Sequence, residues 1–236
     1  MRYGLVGSEM CIRDRSNHTT SVLKNFATIN QNLVIKEGNE MSTMSAMKNI
    51  VARATVEETF PKEIAIYDLN EFLGALSLFE NPILDFSDSY VTITEENNPS
   101  TKMKYFYSDP SVVTSPSKMI TMPSNEVKFT MSNDDLSKLK RAASAIGAPD
   151  MVLEKNGSGS SLTVKDKKND TANNYSLDVN TQSDGEFNFF FKVENLKLLD
   201  GTYDVEVSSK NISHYKNKNS EIEYWIALEP ESTYKV

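Results

Sequence analysis

The chain has 236 residues, 39% of them hydrophobic and 25% charged, with one cysteine and a formal net charge of -8. At roughly 150 residues per domain that predicts one or two globular domains, and the near-average fractions exclude wholesale disorder. No run approaches the ~18 consecutive apolar residues of a membrane span and no apolar h-region follows the N-terminal arginine, so a cytoplasmic protein without a membrane partner is expected.

Residues 1–15, MRYGLVGSEMCIRDR, carry neither a helical nor a strand period. The run GSEMCIRDR resembles a translated adapter read-through, so the segment is read as a non-native leader and set aside from the fold. Cys11 goes with it, which leaves no thiol for a disulfide, a nucleophile or a metal. From Ser16 onward Val22, Leu23, Phe26 and Ile29 recur at helical spacing and turn Thr20, Lys24 and Thr28 outward. Short alternating runs follow near Leu33–Lys36, Met41–Met44 and Ile50–Val56. A last one, IAIYDL, leads into a second helix with Leu69, Phe72, Leu73, Leu76 and Phe79 on its apolar face and Asp68 at its N-cap. Strands are expected again at Ile83–Phe86, Tyr90–Thr94 and Met103–Tyr107.

From Asp109 the composition turns to Pro, Ser and Thr and loses any period, which marks 109–124 as a linker between domains at 16–108 and 125–236. Beyond it the order of elements recurs. A strand at Val127–Met131 precedes a helix capped by Ser132 and closed by Gly147. Met151–Glu154 and Leu162–Lys165 flank an Asn156-Gly157 turn, and Tyr175–Val179 follows. Phe187–Phe191 runs into an expected short helix, Val193–Leu199, and strands at Tyr203–Val207, Ser213–Lys216 and Ile222–Leu228 complete the chain. Two equivalent α+β domains in tandem explain this repetition better than one long domain.

Enzyme chemistry finds little support. His18 and His214 lie near no acidic cluster with ligand spacing, so neither a metal site nor a cofactor is expected. Gly157-Ser158-Gly159-Ser160 lacks the Gly-Lys-Ser/Thr that completes a phosphate loop and reads as a hairpin turn. The acid pairs Glu57-Glu58, Glu95-Glu96 and Asp134-Asp135 read as turn and helix-start residues rather than as an acid/base pair, and Trp225 as core. The helices are more informative. Arg141 lies opposite the apolar face of Leu136, Leu139, Ala143 and Ile146, with Lys138 and Lys140 on the flanks, while Lys24, Lys192 and Lys197 fall on the other helical patterns. Such lysines are most often only solvated, and Glu71 on the second helix counts against a shared basic face.

Several stretches carry a family resemblance: VLKNFATIN at Val22–Asn30, IYDLNEFLGALSL at Ile66–Leu78, DPS at Asp109–Ser111, FNFFFKVENLKLLDGTYDV at Phe187–Val205 and ALEPEST at Ala227–Thr233. In order and spacing they resemble the DNA polymerase sliding clamp of T-even-type tailed phages, over all but the leader. The leader stands where the family has a short first strand, which bears on the edge pairing of the first domain. The resemblance implies two tandem DNA-clamp domains per chain and a pseudo-sixfold homotrimeric ring, with helices lining a pore and antiparallel sheets outside. Its partners would be encircled double-stranded DNA, the phage DNA polymerase, a clamp-loader complex and a sigma-like factor and coactivator of late transcription, in the cytoplasm of the infected host. Lys24, Lys138, Lys140, Arg141, Lys192 and Lys197 would then face phosphates, which carry no sequence information, and guide the duplex without gripping it.

The resemblance also implies that the last strand of the first domain pairs with a strand of the neighbour's second domain. Here these are Met103–Tyr107 and Tyr175–Val179, with Tyr105, Phe106 and Tyr175 as packing residues or, equally, as core of their own domains. A pocket for short apolar partner tails would draw on Val112, Val113, Met119, Ile120, Met122, Ala227, Leu228 and Pro230, among which adaptable Met suits several partners. The rival expectation is a ring-forming structural or tail-associated phage protein, which an acidic pair of β-rich domains would also suit.

Overall fold

Cys11 and Ile12 form a two-residue strand, β1, before Ser16 turns the chain into its first helix. The computed structural model describes residues 11–12, 16–116, 118, 120–157 and 159–235. Its contacts divide the chain into two units, Met1–Ala46 with Arg53–Pro116 and Met47–Ala52 with Ser117–Val236.

In the first unit the Ser16 hydroxyl accepts from the Thr19 amide at 3.1 Å and starts α1 (Asn17–Ile29), which buries Thr19, Val22, Leu23, Phe26 and Ile29. Phe26 is 0% exposed, a burial that contributes roughly 2 kcal/mol. Strands β2 (Leu33–Ile35), β3 (Gly38–Met44), β4 (Ile50–Phe60) and β5 (Ile64–Ile66) form a sheet ordered β5-β2-β3-β4, the first residues of β4 belonging to the second unit. Buried Glu58 on β4 accepts from the Ser16 amide and the Thr19 hydroxyl, so it fastens the start of α1 to the sheet. Helix α2 (Leu69–Leu76) begins where Asp68 Oδ1 accepts from the Asn70 and Glu71 amides at 2.9 and 3.1 Å. Strands β6 (Pro82–Phe86), β7 (Tyr90–Glu95) and β8 (Asn98–Phe106) complete a second sheet ordered β1-β6-β7-β8. Cys11 and Ile12 thus stand opposite Asp85 and Leu84. Two residues are too few to show an alternation in the sequence.

The second unit repeats the plan. Strand β9 (Val127–Met131) leads through Ser132, whose hydroxyl accepts from the Asp135 amide, into α3 (Asn133–Ile146). Gly147 closes that helix in the left-handed region at φ 65. Strands β10 (Asp150–Asn156), β11 (Gly159–Lys165), β12 (Tyr175–Asp178) and β13 (Glu186–Lys192) follow, then β14 (Tyr203–Ser208), β15 (Ile212–Asn217), β16 (Ile222–Ala227) and β17 (Thr233–Lys235). Within the unit the sheet orders are β12-β11-β10-β13-β17 and β16-β15-β14-β9. Phe189 and Phe191 fill one part of the core, and Tyr203 packs edge-on against Tyr215 and Tyr224 in another.

One expected element is corrected. Val193–Leu199 is not a helix: a single 3-10 turn, Val193–Asn195, ends at Leu196, whose ψ of 53 leaves the helical region. Asn195, Leu196 and Leu198 are buried while Val193 and Leu199 are only half-buried, which is not the three-to-four spacing of a helix face, and the Leu199 amide donates to Tyr224 Oη instead of continuing a helix. The segment 109–124 also holds one 3-10 turn, Pro110–Val112, started by the Asp109 carboxylate accepting from the Ser111 amide.

Candidate nucleic-acid interface and subunit edges

Six cations are the candidate contacts to nucleic acid, and their surroundings differ. Lys24 is exposed on the outer face of α1, between Ser21 and Thr28. Arg141 is exposed on α3, its Nε donating to Ser137 O at 3.3 Å within the same helix, which leaves most of the guanidinium to solvent. Lys138 is exposed too, but its Nζ lies 2.6 Å from Asp134 Oδ2 one turn back, and that hydrogen bond holds its ammonium above the usual lysine range. Lys140 leans inward and donates to Leu198 O at 3.1 Å; burial pushes its ammonium down, against a smaller opposing effect from Asp200. Lys197 is half-buried in the turn after Asn195, its amide bonded to Asn195 O at 2.8 Å.

Lys192 lies at the end of β13 rather than on a helix, and it belongs to an ionic cluster. Its Nζ is 2.6 Å from Oδ1 of Asp150, a carboxylate only 1% exposed, and 3.8 Å from Glu229 Oε2. Lys167 joins the same group, 3.7 Å from Asp150 Oδ1, 3.0 Å from Glu229 Oε2 and bridged to Glu231. A carboxylate that deeply buried is tolerable only with cations beside it, so Lys192 and Lys167 are committed within the chain. Sequence reading could not have found this cluster, whose members span positions 150 to 231.

Both candidate junction strands lie at sheet margins. β8 is the last strand of its sheet and β12 the first of its own, so among the described residues each has one unpaired edge. Of the packing candidates, Tyr105 is 8% exposed, its ring 5.0 Å from Phe72 and its hydroxyl 3.2 Å from Asp68 O; burial pushes that phenol up to about 12. It packs inside its own unit. Phe106 and Tyr175 are 65% and 36% exposed.

The apolar candidates for partner tails divide in the same way. Val112 is exposed, whereas Val113 is buried against Val34 and Ala65 and holds the segment to its own unit. Ile120, Met122 and Ala227 are half-buried, Leu228 is buried and Pro230 exposed; Met119 lies outside the described residues.

The groups weighed for catalysis have structural partners. Glu95 accepts from the Glu80 and Asn81 amides, Asp135 from the Ser132 hydroxyl, and His214 Nε2 lies 2.8 Å from Glu223 Oε2 with its ring stacked on Trp225. Gly157, at φ 71, turns the β10–β11 hairpin; Ser158 lies outside the described residues. Among the described residues no group of three or more His, Cys, Asp or Glu is placed to hold a metal, and no helix is long and apolar enough to cross a membrane.

Known structures define the class. The chain matches the proliferating cell nuclear antigen of A. fulgidus, solved with the C-terminal region of FEN-1, at a TM-score of 0.70 with 14% identity, over 94% of this chain and 99% of that one. It matches the corresponding antigen of Entamoeba histolytica at 0.65 with 16% identity, over 89% and 94%. The fold is the two-domain DNA clamp, built from antiparallel sheets and few helices.

Sequence comparison then narrows the class to a family. The family model described as DNA polymerase processivity factor matches residues 14–115, and that described as gp45 sliding clamp, C terminal, matches residues 128–230. The sliding clamp of Vibrio phage KVP40 is 32% identical over 217 residues, 89% of this chain and 96% of that protein. The sliding clamp of Enterobacteria phage T4 is 30% identical over 230 residues, 93% and 98%. The chain belongs to the phage sliding-clamp family of DNA polymerase processivity factors, whose members are not catalysts. That membership decides between the clamp and the virion-component expectations in favour of the clamp.

Proposed function

We propose that three copies of the chain close head to tail into a ring of six similar domains around duplex DNA, helices toward the hole and sheets outside. The observation that carries this reading is the pair of unpaired edges, β8 in one unit and β12 in the other. A contact between two different surfaces of one chain generates a closed ring when its rotation closes, and it covers edges that are otherwise templates for aggregation. The domains are 16–108 and 125–236, joined by 109–124, and residues 1–15 are a non-native leader whose Cys11 and Ile12 occupy the edge beside β6.

The ring tethers the phage DNA polymerase by topology rather than by affinity, so the DNA-facing charge must be sparse. Lys24 and Arg141, the most open of the six cations, make the principal phosphate contacts; Lys138 and Lys197 assist, and Lys140 and Lys192 contribute least because their ammonium groups are engaged inside the chain. Val112, Ile120, Met122, Ala227 and Pro230 are the exposed or half-buried apolar groups available to partner tails. A clamp-loader complex opens the ring, a sigma-like factor and coactivator use it in late transcription, and all act in the cytoplasm of the infected bacterium.

The test is the double charge reversal Lys24→Glu with Arg141→Glu, assayed by primer extension on a long template with the polymerase and loader. Clamp-dependent processivity falls about tenfold, through like charge facing phosphates, while native mass is unchanged. Full processivity in that variant would sink the DNA-facing assignment.

A further inference from the structure

The two edges carry opposite charge on the outer face, where Phe106 accompanies the lysines, and Tyr105, Tyr175 and Leu177 on the other. Tyr105 of β8 packs on Phe72 of α2, so Met103 shares the helix side with it while Lys102, Lys104 and Phe106 point to the outer side. Lys104 Nζ sits 4.2 Å from the centre of the Tyr90 ring, on that outer side. On β12, Tyr175 and Leu177 stand opposite the buried residues Val164 and Leu162, and α3 packs on β11 and β12, which sets this pair on the helix side. Ser176 and Asp178 therefore face outward.

Charge follows the same division. Lys102, Lys104 and Asp178 are all exposed, and Asn98–Phe106 contains no acid. Asp178 also lines a cleft with Asp135, Asp204 and Glu206, in which Lys128 is the only cation among the described residues. The strand pairs described in the two edge sheets are all antiparallel. An antiparallel junction that keeps Tyr105 beside Leu177 sets Lys104 opposite Asp178; one that keeps Tyr105 beside Tyr175 sets Lys102 there. A one-residue slip would set the lysines opposite Tyr175 or Leu177 instead of Asp178.

Resting on the ring reading above, in which the β8 edge of one copy meets β12 of the next, we infer that an ion pair from Asp178 to Lys102 or Lys104 of the neighbouring copy fixes the register of that junction. The pair makes assembly salt-sensitive, since exposed charges are screened within ~8 Å at physiological ionic strength. It also opposes joining two like edges, because two β8 edges would set lysines against lysines.

The experiment is sedimentation equilibrium of the full chain at low and high salt, for wild type, Asp178→Lys, the pair Lys102→Asp with Lys104→Asp, and all three changes together. Either reversal alone raises the dissociation constant of the trimer at least about tenfold at low salt, and the combined variant recovers most of the loss. Reversals that leave assembly unchanged, while Phe106→Glu dissolves the trimer, would overturn the ion pair and leave the edge junction standing. A trimer indifferent to all four variants, or a wild-type monomer at every concentration, would overturn the junction as well.

Discussion

Glu126 shows how one carboxylate fastens the end of a linker. It accepts from the Ser209 amide at 3.0 Å, the Ser209 hydroxyl at 2.7 Å and the Ser124 hydroxyl at 2.9 Å. Burial raises its carboxyl, but these hydrogen bonds more than offset that and hold it below the ordinary value of 4.5. A carboxylate depressed on folding contributes stability that is full above its unfolded pKa and is lost as pH falls through the folded value. Ser209→Ala should therefore lower stability by about 1 kcal/mol at pH 7, a deficit that shrinks below pH 4.5 as Glu126 protonates in both proteins. Urea unfolding at pH 7 and at an acid pH checks this; a deficit independent of pH would contradict it. The cations were the least legible residues in the sequence. Helical periodicity placed Arg141 opposite the apolar face of α3 and Lys24 opposite that of α1, and both are exposed. Periodicity does not see that Lys140 reaches back to Leu198 O or that Lys192 serves a buried aspartate 42 positions earlier, because such partners arrive only with tertiary folding.

At the scale of elements, local chemistry made most boundaries readable. Asp68 and Ser132 sit where N-caps were expected, each accepting amides of the first turn. Gly147 follows the same logic at the other end of α3. At φ 65 with nothing within 4 Å of an added Cβ, the cost of Gly147→Ala is backbone strain alone, about 1 kcal/mol by thermal or urea unfolding. A neutral result would mean that the helix end shifts to a right-handed cap instead. Elements read poorly where length or period was inadequate. β1 and β17 are two and three residues long, and β17 becomes a strand only through pairing with Glu186–Asn188. The segment after β13 shows Val193, Leu196 and Leu199 at near-helical spacing, yet Leu196 and Leu198 are the buried pair. The demands of the core override local propensity there.

For the whole molecule the repeated order of elements was the legible feature; the structure repeats a helix and two sets of strands in each of two units, but where the first unit has α2 the second has only a 3-10 turn, Val193–Asn195. Net charge misleads at this scale. At -8 the chain is acidic overall, which suits a ring that repels DNA from its outer surface and presents few cations to the duplex within. In the proposed ring, sparse contacts would leave it mobile and closure would supply the residence time that affinity does not. Assembly is therefore the central claim, and native mass by light scattering across a concentration series tests it most directly. Three chains of 26.5 kDa give 79.5 kDa, and the account predicts that value at high concentration with dissociation on dilution. A mass that stays at one chain throughout, or a stable even-numbered assembly, would contradict it.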